Sequence, residues 1–324
     1  MTELPHGDCL LWRHVEYSKE SPQALSVSVR VRPSFPLLPL HGSFDSQSNF
    51  SFLITGWTNN PNPRWNVYGS TNLITWTNVG SNVGLDPTWG TNTFTDTNAR
   101  GLPMRFYELS TNNCCSRVIG FVNLTIAIGT NLIANQLCQV DDSILYFTVN
   151  DFEGAPMNTL DALFLASWGH AQDPTQIFKW VGTNLESDIY FSYPGPSWYN
   201  GGEMTLLPGS SVLVSNGTGK SFTGSFVGVL REQQVVQIQT ESNYLSAMLP
   251  VAGAITNITG YVPRNGDTIQ LWNVTNYVSH TYTSNNSWSN GVPVLAVGQG
   301  FVLITTNTNN YVWTNTWQNF QPCP

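Results

Sequence analysis

Charge is what this 324-residue chain has least of: Asp, Glu, Lys and Arg make up 10% of it, against about 25% in ordinary globular proteins. Such a surface has to be built from neutral polar side chains, and Asn, Thr, Ser, Gly and Trp are correspondingly abundant. The four cations beyond residue 120, Lys179, Lys220, Arg231 and Arg264, lie scattered among twelve acidic residues, which account for the formal net charge of −8. A protein that neutralises phosphates clusters its Lys and Arg. Nucleic acid and anionic membrane are therefore poor partners.

Long apolar runs are missing too. None approaches the roughly 20 residues that span a bilayer, so no transmembrane segment is expected. The first thirty residues carry Glu3, Asp8, Glu16, Lys19 and Glu20 and no apolar segment of about 7 to 15 residues, so they are no secretory signal. The composition nonetheless fits secreted or surface-exposed bacterial proteins better than cytosolic enzymes, and export would require a natural start other than Met1. Residues 1–45 differ in composition from the rest. Their "RPSFPLLPLHG" reads as extended Pro-rich chain, and the segment is expected to be poorly ordered.

Cysteine and catalytic signatures are equally sparse. Cys9, Cys114, Cys115, Cys138 and Cys323 form no C-x-x-C pair and no zinc spacing, which speaks against a metal thiolate site. Cys114 and Cys115 are adjacent, and either could reach Cys138 or Cys323 in an oxidising compartment; the alternative is a set of small buried thiols. No G-x-S-x-G, H-E-x-x-H, Walker or dinucleotide glycine pattern is present. His6, His14, His41, His170 and His280 are isolated. The expectation is a non-catalytic protein, with paired-carboxylate glycan chemistry as the weakest alternative.

What is present is a repeat. "IFKWVGTNLESDIYFSYPGPSWYNGG" at 177–202 parallels "IQLWNVTNYVSHTYTSNNSWSNG" at 269–291, with Trp180 on Trp272 at a shift of 92 and Trp198 on Trp288 at a shift of 90. Downstream, Val212 falls on Val302 at 90, and Phe222 and Phe226 fall on Trp313 and Trp317 at 91. Upstream, "NLIANQL" at 131 parallels "NYLSAML" at 243, a shift of 112 that implies about twenty extra residues in the first copy. A repeat this long is a duplicated domain. Alternation such as Val212, Val214 and Phe301, Leu303 has the period of half-buried strands. The best candidate for a short helix is "NTLDALFLASW" at 158–168.

The fold class is all-β: a small β module at 46–115, then two tandem, internally duplicated β-sandwich-like domains at 116–230 and 231–324. In the module, "NPNP", "GSTN" and "GLDP" separate three or four strands. Arg105 can pair with Asp96 there, in the simplest reading as a surface ion pair.

Tryptophans at matching places in both copies are explained by a shared core, where a buried indole covers apolar area and its N–H finds a carbonyl. Aromatics present once are the better ligand candidates: Trp168, and Tyr199, whose counterpart is Ser289. Trp198 and Trp288 complete the set that could stack on sugar faces if exposed. The extra segment of copy 1 carries Asp141, Asp142, Asp151 and Glu153. Calcium takes six to eight oxygen ligands, which these carboxylates could help supply; the alternative is a solvated acidic loop.

"STNLITWTNVG", "FTDTNA" and "RFYEL" resemble a small β module that recurs in secreted proteins of the Verrucomicrobia and related bacteria, and "VIGFVNLTIAIGTNLIANQL" resembles the start of the β domain that follows it there. The likeness covers much of residues 57–320, with Glu108 where that pattern has Arg or similar. It implies export and a non-catalytic, surface or matrix-associated role, and it assigns no catalytic residues. The expected function is that of a secreted or cell-surface structural or adhesive protein, with polysaccharide or other surface proteins as partners. Carbohydrate binding through exposed aromatics is the alternative.

Overall fold

The computed structural model describes residues 38–55, 64–86, 91–111, 114–138, 158–165, 175–181, 184–191, 197–231, 233–306 and 308–316. Among them the regular structure is antiparallel strand, apart from one short helix, α1 (Ile255–Thr259), and one π-type turn at Asp161–Leu165. The all-β class is what the fold has. The sequence placed its helix at 158–168; the described part is that single turn, held by burial of Leu160, Leu163 and Phe164.

Sheet I joins β1 (Leu38–Phe44), β2 (Phe50–Thr55) and β5 (Thr91–Asp96) in that order. Sheet II runs β14 (Phe222–Val229), β8 (Ile119–Ile126), β6 (Met104–Thr111), β3 (Arg64–Ser70) and β4 (Thr77–Gly84), with β7 (Cys114–Cys115) on β6. Sheet III runs β12 (Ser197–Trp198), β11 (Asn184–Phe191), β10 (Thr175–Val181), β13 (Val212–Asn216) and β9 (Gly129–Ile133).

Sheet II is apolar on both faces because it is a middle layer. Tyr107, Leu109, Ile119 and Phe121 face Phe50, Phe52 and Ile54 of sheet I, while Phe106, Val122, Leu124 and Ile126 face Ile177, Val212 and Val214 of sheet III. A strand covered on both sides loses its polar alternation, which is why β8 reads "IGFVNLTI". The ladder from β6 to β8, Met104↔Val122 to Tyr107↔Ile119, crosses the line between 115 and 116. That line divides sequence segments; the module and copy 1 share one sheet. Nor does the N-terminal segment extend to residue 45, since β1 begins at Leu38.

Copy 2 has its own core. Sheet IV runs β16 (Glu241–Ser246), β21 (Gly300–Thr305), β18 (Thr268–Trp272) and β19 (Tyr277–Thr281), and sheet V pairs β15 (Gln233–Ile238) with β22 (Tyr311–Thr316). Ile238, Leu245, Ile255, Ile269, Phe301, Leu303 and Trp313 are buried between them. A small ladder, β17 (Gly253–Ala254) with β20 (Val294–Leu295), flanks α1. The sequence missed α1 because five residues are too few for a helical period; Gly260 ends it in the left-handed region, with φ 65°.

The two copies repeat strand for strand. The order β16-β21-β18-β19 matches β9-β13-β10-β11, and β15-β22 matches β8-β14. Asn131 bonds both polar groups of the Ala127 backbone (2.9 Å each), and Asn243 does the same to Gln239 (2.8 and 2.9 Å), so the shift of 112 holds atom for atom. The shift of 92 holds too, with Ile177 opposite Val214 and Ile269 opposite Leu303. Those same pairs set the next strand at 89, so Val212 corresponds to Phe301 and Val302 turns to the opposite face. In the last strand Phe222 faces Ile126 and Tyr311 faces Ile238, again at 89. The sequence alignment was one residue out in β21 and two out in β22, because apolar residues on both faces of β21 leave its register weakly marked.

The copies meet about a local twofold. Ala134 N–H donates to Gly298 O (2.8 Å), and Ser246 N–H donates to Gly209 O (3.0 Å); 134 corresponds to 246, and 209 to 298. Bridges Ile133↔Gln299 and Ser210↔Leu245 are reciprocal in the same way. Ser211 and its counterpart Gly300 touch each other, and a Cβ at Gly300 would collide with Ser211. Equivalent residues in mutual contact are the mark of an isologous interface. Buried Gln136 closes it, donating to Ala247 O (3.2 Å) and Leu249 O (2.6 Å) and accepting from Gly298 N–H (2.9 Å).

Two polar knots lie outside this interface. Asp96 accepts from Tyr107 Oη (3.0 Å) and sits 2.7 Å from Arg105 Nε. Arg105 and Asp96 do pair, but at 13% and 3% exposure the pair is largely buried rather than superficial. Asp267 accepts from Tyr261 Oη, Arg264 N–H, Thr305 Oγ1 and Thr306 N–H.

Candidate functional site: the Tyr199 turn

Trp180 and Trp272 belong to neither core. Trp180 is 38% exposed and stacks on Tyr244 of the other copy at 5.9 Å and 20°, while the Trp272 indole N–H donates to Thr130 O of copy 1 (2.7 Å). Both tie one copy to the other. Tyr277 meets Trp272 edge to face (4.9 Å), and burial, then the neighbouring Tyr244, raises its phenol pKa.

Trp198 is 5% exposed. It packs edge to face on Tyr190 (5.5 Å) and Phe164 (5.7 Å). An indole enclosed in this way offers no face to a sugar, so its candidacy as a stacking platform falls. Its N–H meets no hydrogen-bond acceptor among the described residues, contrary to the expected carbonyl. Trp288 is half-buried against the core of copy 2 and packs on Tyr282 (5.2 Å), the counterpart of Tyr190. Trp168, Asp141, Asp142, Asp151 and Glu153 lie outside the described residues. Cys138 is a buried free thiol, its pKa raised by desolvation.

Tyr199 is different. The turn after β12 pins its backbone, with Tyr199 N–H on Ile189 O (2.9 Å) and Gly201 N–H on Trp198 O (3.2 Å), and turns the ring outward at 74% exposure. Phe191, 37% exposed, meets it edge to face at 6.3 Å. The same turn, through Asn200, borders a depression of about 540 Å³ lined by Glu186, Ser187, Asp188, Asn200, Glu203 and Met204, with neither Tyr199 nor Phe191 in its lining.

Its carboxylates are not equivalent. Asp188 is 2% exposed and already bound, accepting from the N–H groups of Ile189 (2.9 Å), Asn200 (2.9 Å) and Gly202 (3.0 Å). It holds the turn. Glu186 and Glu203 are exposed and remain available to a ligand's hydroxyl groups. Lys179 nearby donates to Thr205 O (2.6 Å) and Oγ1 (3.2 Å), and burial lowers its pKa against the opposing pull of Glu186. The turn thus carries an exposed aromatic pair, Phe191 and Tyr199, and, separately, a depression of neutral and anionic hydrogen-bonding groups.

Of the residues singled out from sequence, this site contains Tyr199 alone. Glu186, Asn200 and Glu203 were missed, although a residue-by-residue comparison of the copies points to the two glutamates, Asn200 being shared with copy 2 as Asn290. Glu186 and Asp188 correspond to Val278 and His280, and the stretch around Glu203 to Val292 and Pro293.

No family model matches the chain, and no curated protein matches it. Among solved structures, the FN1–FN3 domains of chicken CNTN1 align over 87% of this chain and 88% of that chain, at 10% identity and a TM-score of 0.18. A score that low carries no argument, and the all-β class rests on the strands themselves.

Proposed function

We propose that this chain is a non-catalytic β-domain protein of the cell exterior or cell surface, with a structural or adhesive role. The observation that carries the reading is the reciprocal locking of the two copies, which spends aromatic and buried polar side chains on rigidity. Sparse charge and the module-like "STNLITWTNVG", "FTDTNA" and "RFYEL" support the exterior location. The test is antibody labelling of intact and permeabilised producing cells. Labelling of intact cells is expected; signal only after permeabilisation contradicts it.

A second reading, carbohydrate binding, is favoured by the exposed ring of Tyr199 and by the Glu186–Glu203 depression bordered by the same turn. Exposed rings stack on sugar faces while carboxylates and amides take hydroxyl groups. A glycan-array and polysaccharide pull-down with the full chain, with calcium and with chelator, distinguishes the readings. Saturable binding lost in Tyr199→Ala supports sugar recognition, and loss with chelator implicates a cation. No binding in either condition leaves the structural role.

A further inference from the structure

Among the described residues, the same sheet edge is filled in copy 1 and open in copy 2. In copy 1 the edge of β8 away from β14 carries β6, from Met104↔Val122 to Tyr107↔Ile119. The corresponding edge in copy 2 belongs to β15, which among the described residues pairs only with β22. The chain ahead of β6 supplies sheet II with further strands; the strand ahead of β15 is β14, already held by β8.

This edge lacks the usual protections. Unpaired edges are ordinarily blunted by charge, proline or a bulge. Gln233–Ile238, "QQVVQI", has no charged residue and no proline, and its register with β22 is unbroken. Val235 and Val312 are 51% and 52% exposed on the face turned from the core. In copy 1 that face is covered by sheet I, which rests on Phe121; in copy 2 the position of Phe121 holds Gln233.

We infer that β15 pairs with β15 of a second copy of this chain, antiparallel, about a twofold axis through Val235. Residues opposite one another must face the same side of a sheet. Centring on Val235 meets this condition, setting Val235 opposite its mate and Gln237 opposite the second copy's Gln233. The product is a continuous sheet ordered β22-β15-β15-β22. The absence of charge along the strand removes the like-charge repulsion that two identical edges would otherwise suffer. This homotypic contact goes beyond the structural or adhesive reading and does not depend on where the protein is located.

The test is sedimentation of the full chain. An interface of one strand pair is small, so association is expected on the order of 10–100 µM. The weight-average mass should rise with concentration from 35.8 kDa towards twice that value. Val235→Lys and Gln237→Lys place charge on the edge at exposed positions and should leave a monomer throughout, with unchanged circular dichroism and melting. Val312→Lys charges the same face without touching the edge and should still dimerise. A wild-type monomer at every concentration overturns the inference, as does a dimer indifferent to Val235→Lys or one lost equally in Val312→Lys. A monomer whose β15 amides are all protected from exchange also overturns it and assigns the edge to another part of the chain.

Discussion

The turn carrying Trp198 and the turn carrying Trp288 are bonded alike and chemically different. Tyr199 N–H reaches Ile189 O, and Ser289 N–H reaches Thr281 O, both at 2.9 Å. Asn200 Nδ2 donates to Ser187 O (2.8 Å), and Asn290 Nδ2 to Ser279 O (2.7 Å). Yet copy 1 clamps its turn with Asp188, while copy 2 uses His280, whose Nδ1 lies 2.8 Å from Gly291 O. The backbone contacts are common to both copies; the outward side chains differ, and that is where copy 1 has its depression and its exposed Tyr199. Duplication keeps one copy's geometry as a standard against which the other's departures can be measured.

A second difference concerns what lies over the outer face. Phe121 is fully buried against Phe44 (4.8 Å) and Phe50 (4.9 Å), whereas its counterpart is Gln233. Importing the copy 2 residue by Phe121→Gln should therefore give the largest effect, a loss of about 3–5 kcal/mol from the lost burial and the cavity beneath sheet I. Guanidinium unfolding measures it. A loss below about 1 kcal/mol would mean that sheet I does not depend on this ring.

The third difference is a polar pair exchanged across two strands. In copy 1 the larger polar group is Asn216, opposite Thr175, and it donates to Ala127 O (3.1 Å) and Lys220 O (2.9 Å). In copy 2 it is Asp267, beside Thr305. Asp267→Asn should cost about 2–3 kcal/mol, since the buried donors around it lose a charged acceptor. Burial alone would raise this carboxyl's pKa, but bonds from Tyr261, Thr306 and Arg264 outweigh it and hold the value below normal. A depressed folded pKa means stability present above about pH 4, the unfolded value, and lost as pH falls through the folded one. Urea midpoints recorded from neutral to acid should fall less steeply in Asp267→Asn than in the wild type. Equal slopes would remove Asp267 from the acid response.

Much of this was legible in the sequence, for identifiable reasons. Trp180, Trp198, Trp272 and Trp288 marked the duplication because large side chains in matching strands are easy to align. Period-two alternation gave the class. The sharing of sheet II was not visible, since β6 and β8 pair through backbone groups that leave no trace in composition. β1 was hidden by Pro39 and its Pro-rich approach, which read as irregular chain. The depression was hidden because Glu186 and Glu203 meet only after β11 folds back on β12. Burial of Arg105 against Asp96 and Tyr107 depends on sheet I lying over β6, a tertiary fact.

The central claim is that the two copies are equivalent halves of one locked scaffold, and amide hydrogen exchange at Ala134 and Ser246 tests it most directly. These two N–H groups make the reciprocal bonds, to Gly298 O and Gly209 O; Ala134 lies just past the end of β9, and Ser246 is the last residue of β16. If the interface is as described, both exchange slowly and with closely similar protection, like strand amides rather than loop amides. Fast exchange at both, or slow exchange at only one of them, would contradict the reciprocal interface and leave two β domains merely joined end to end.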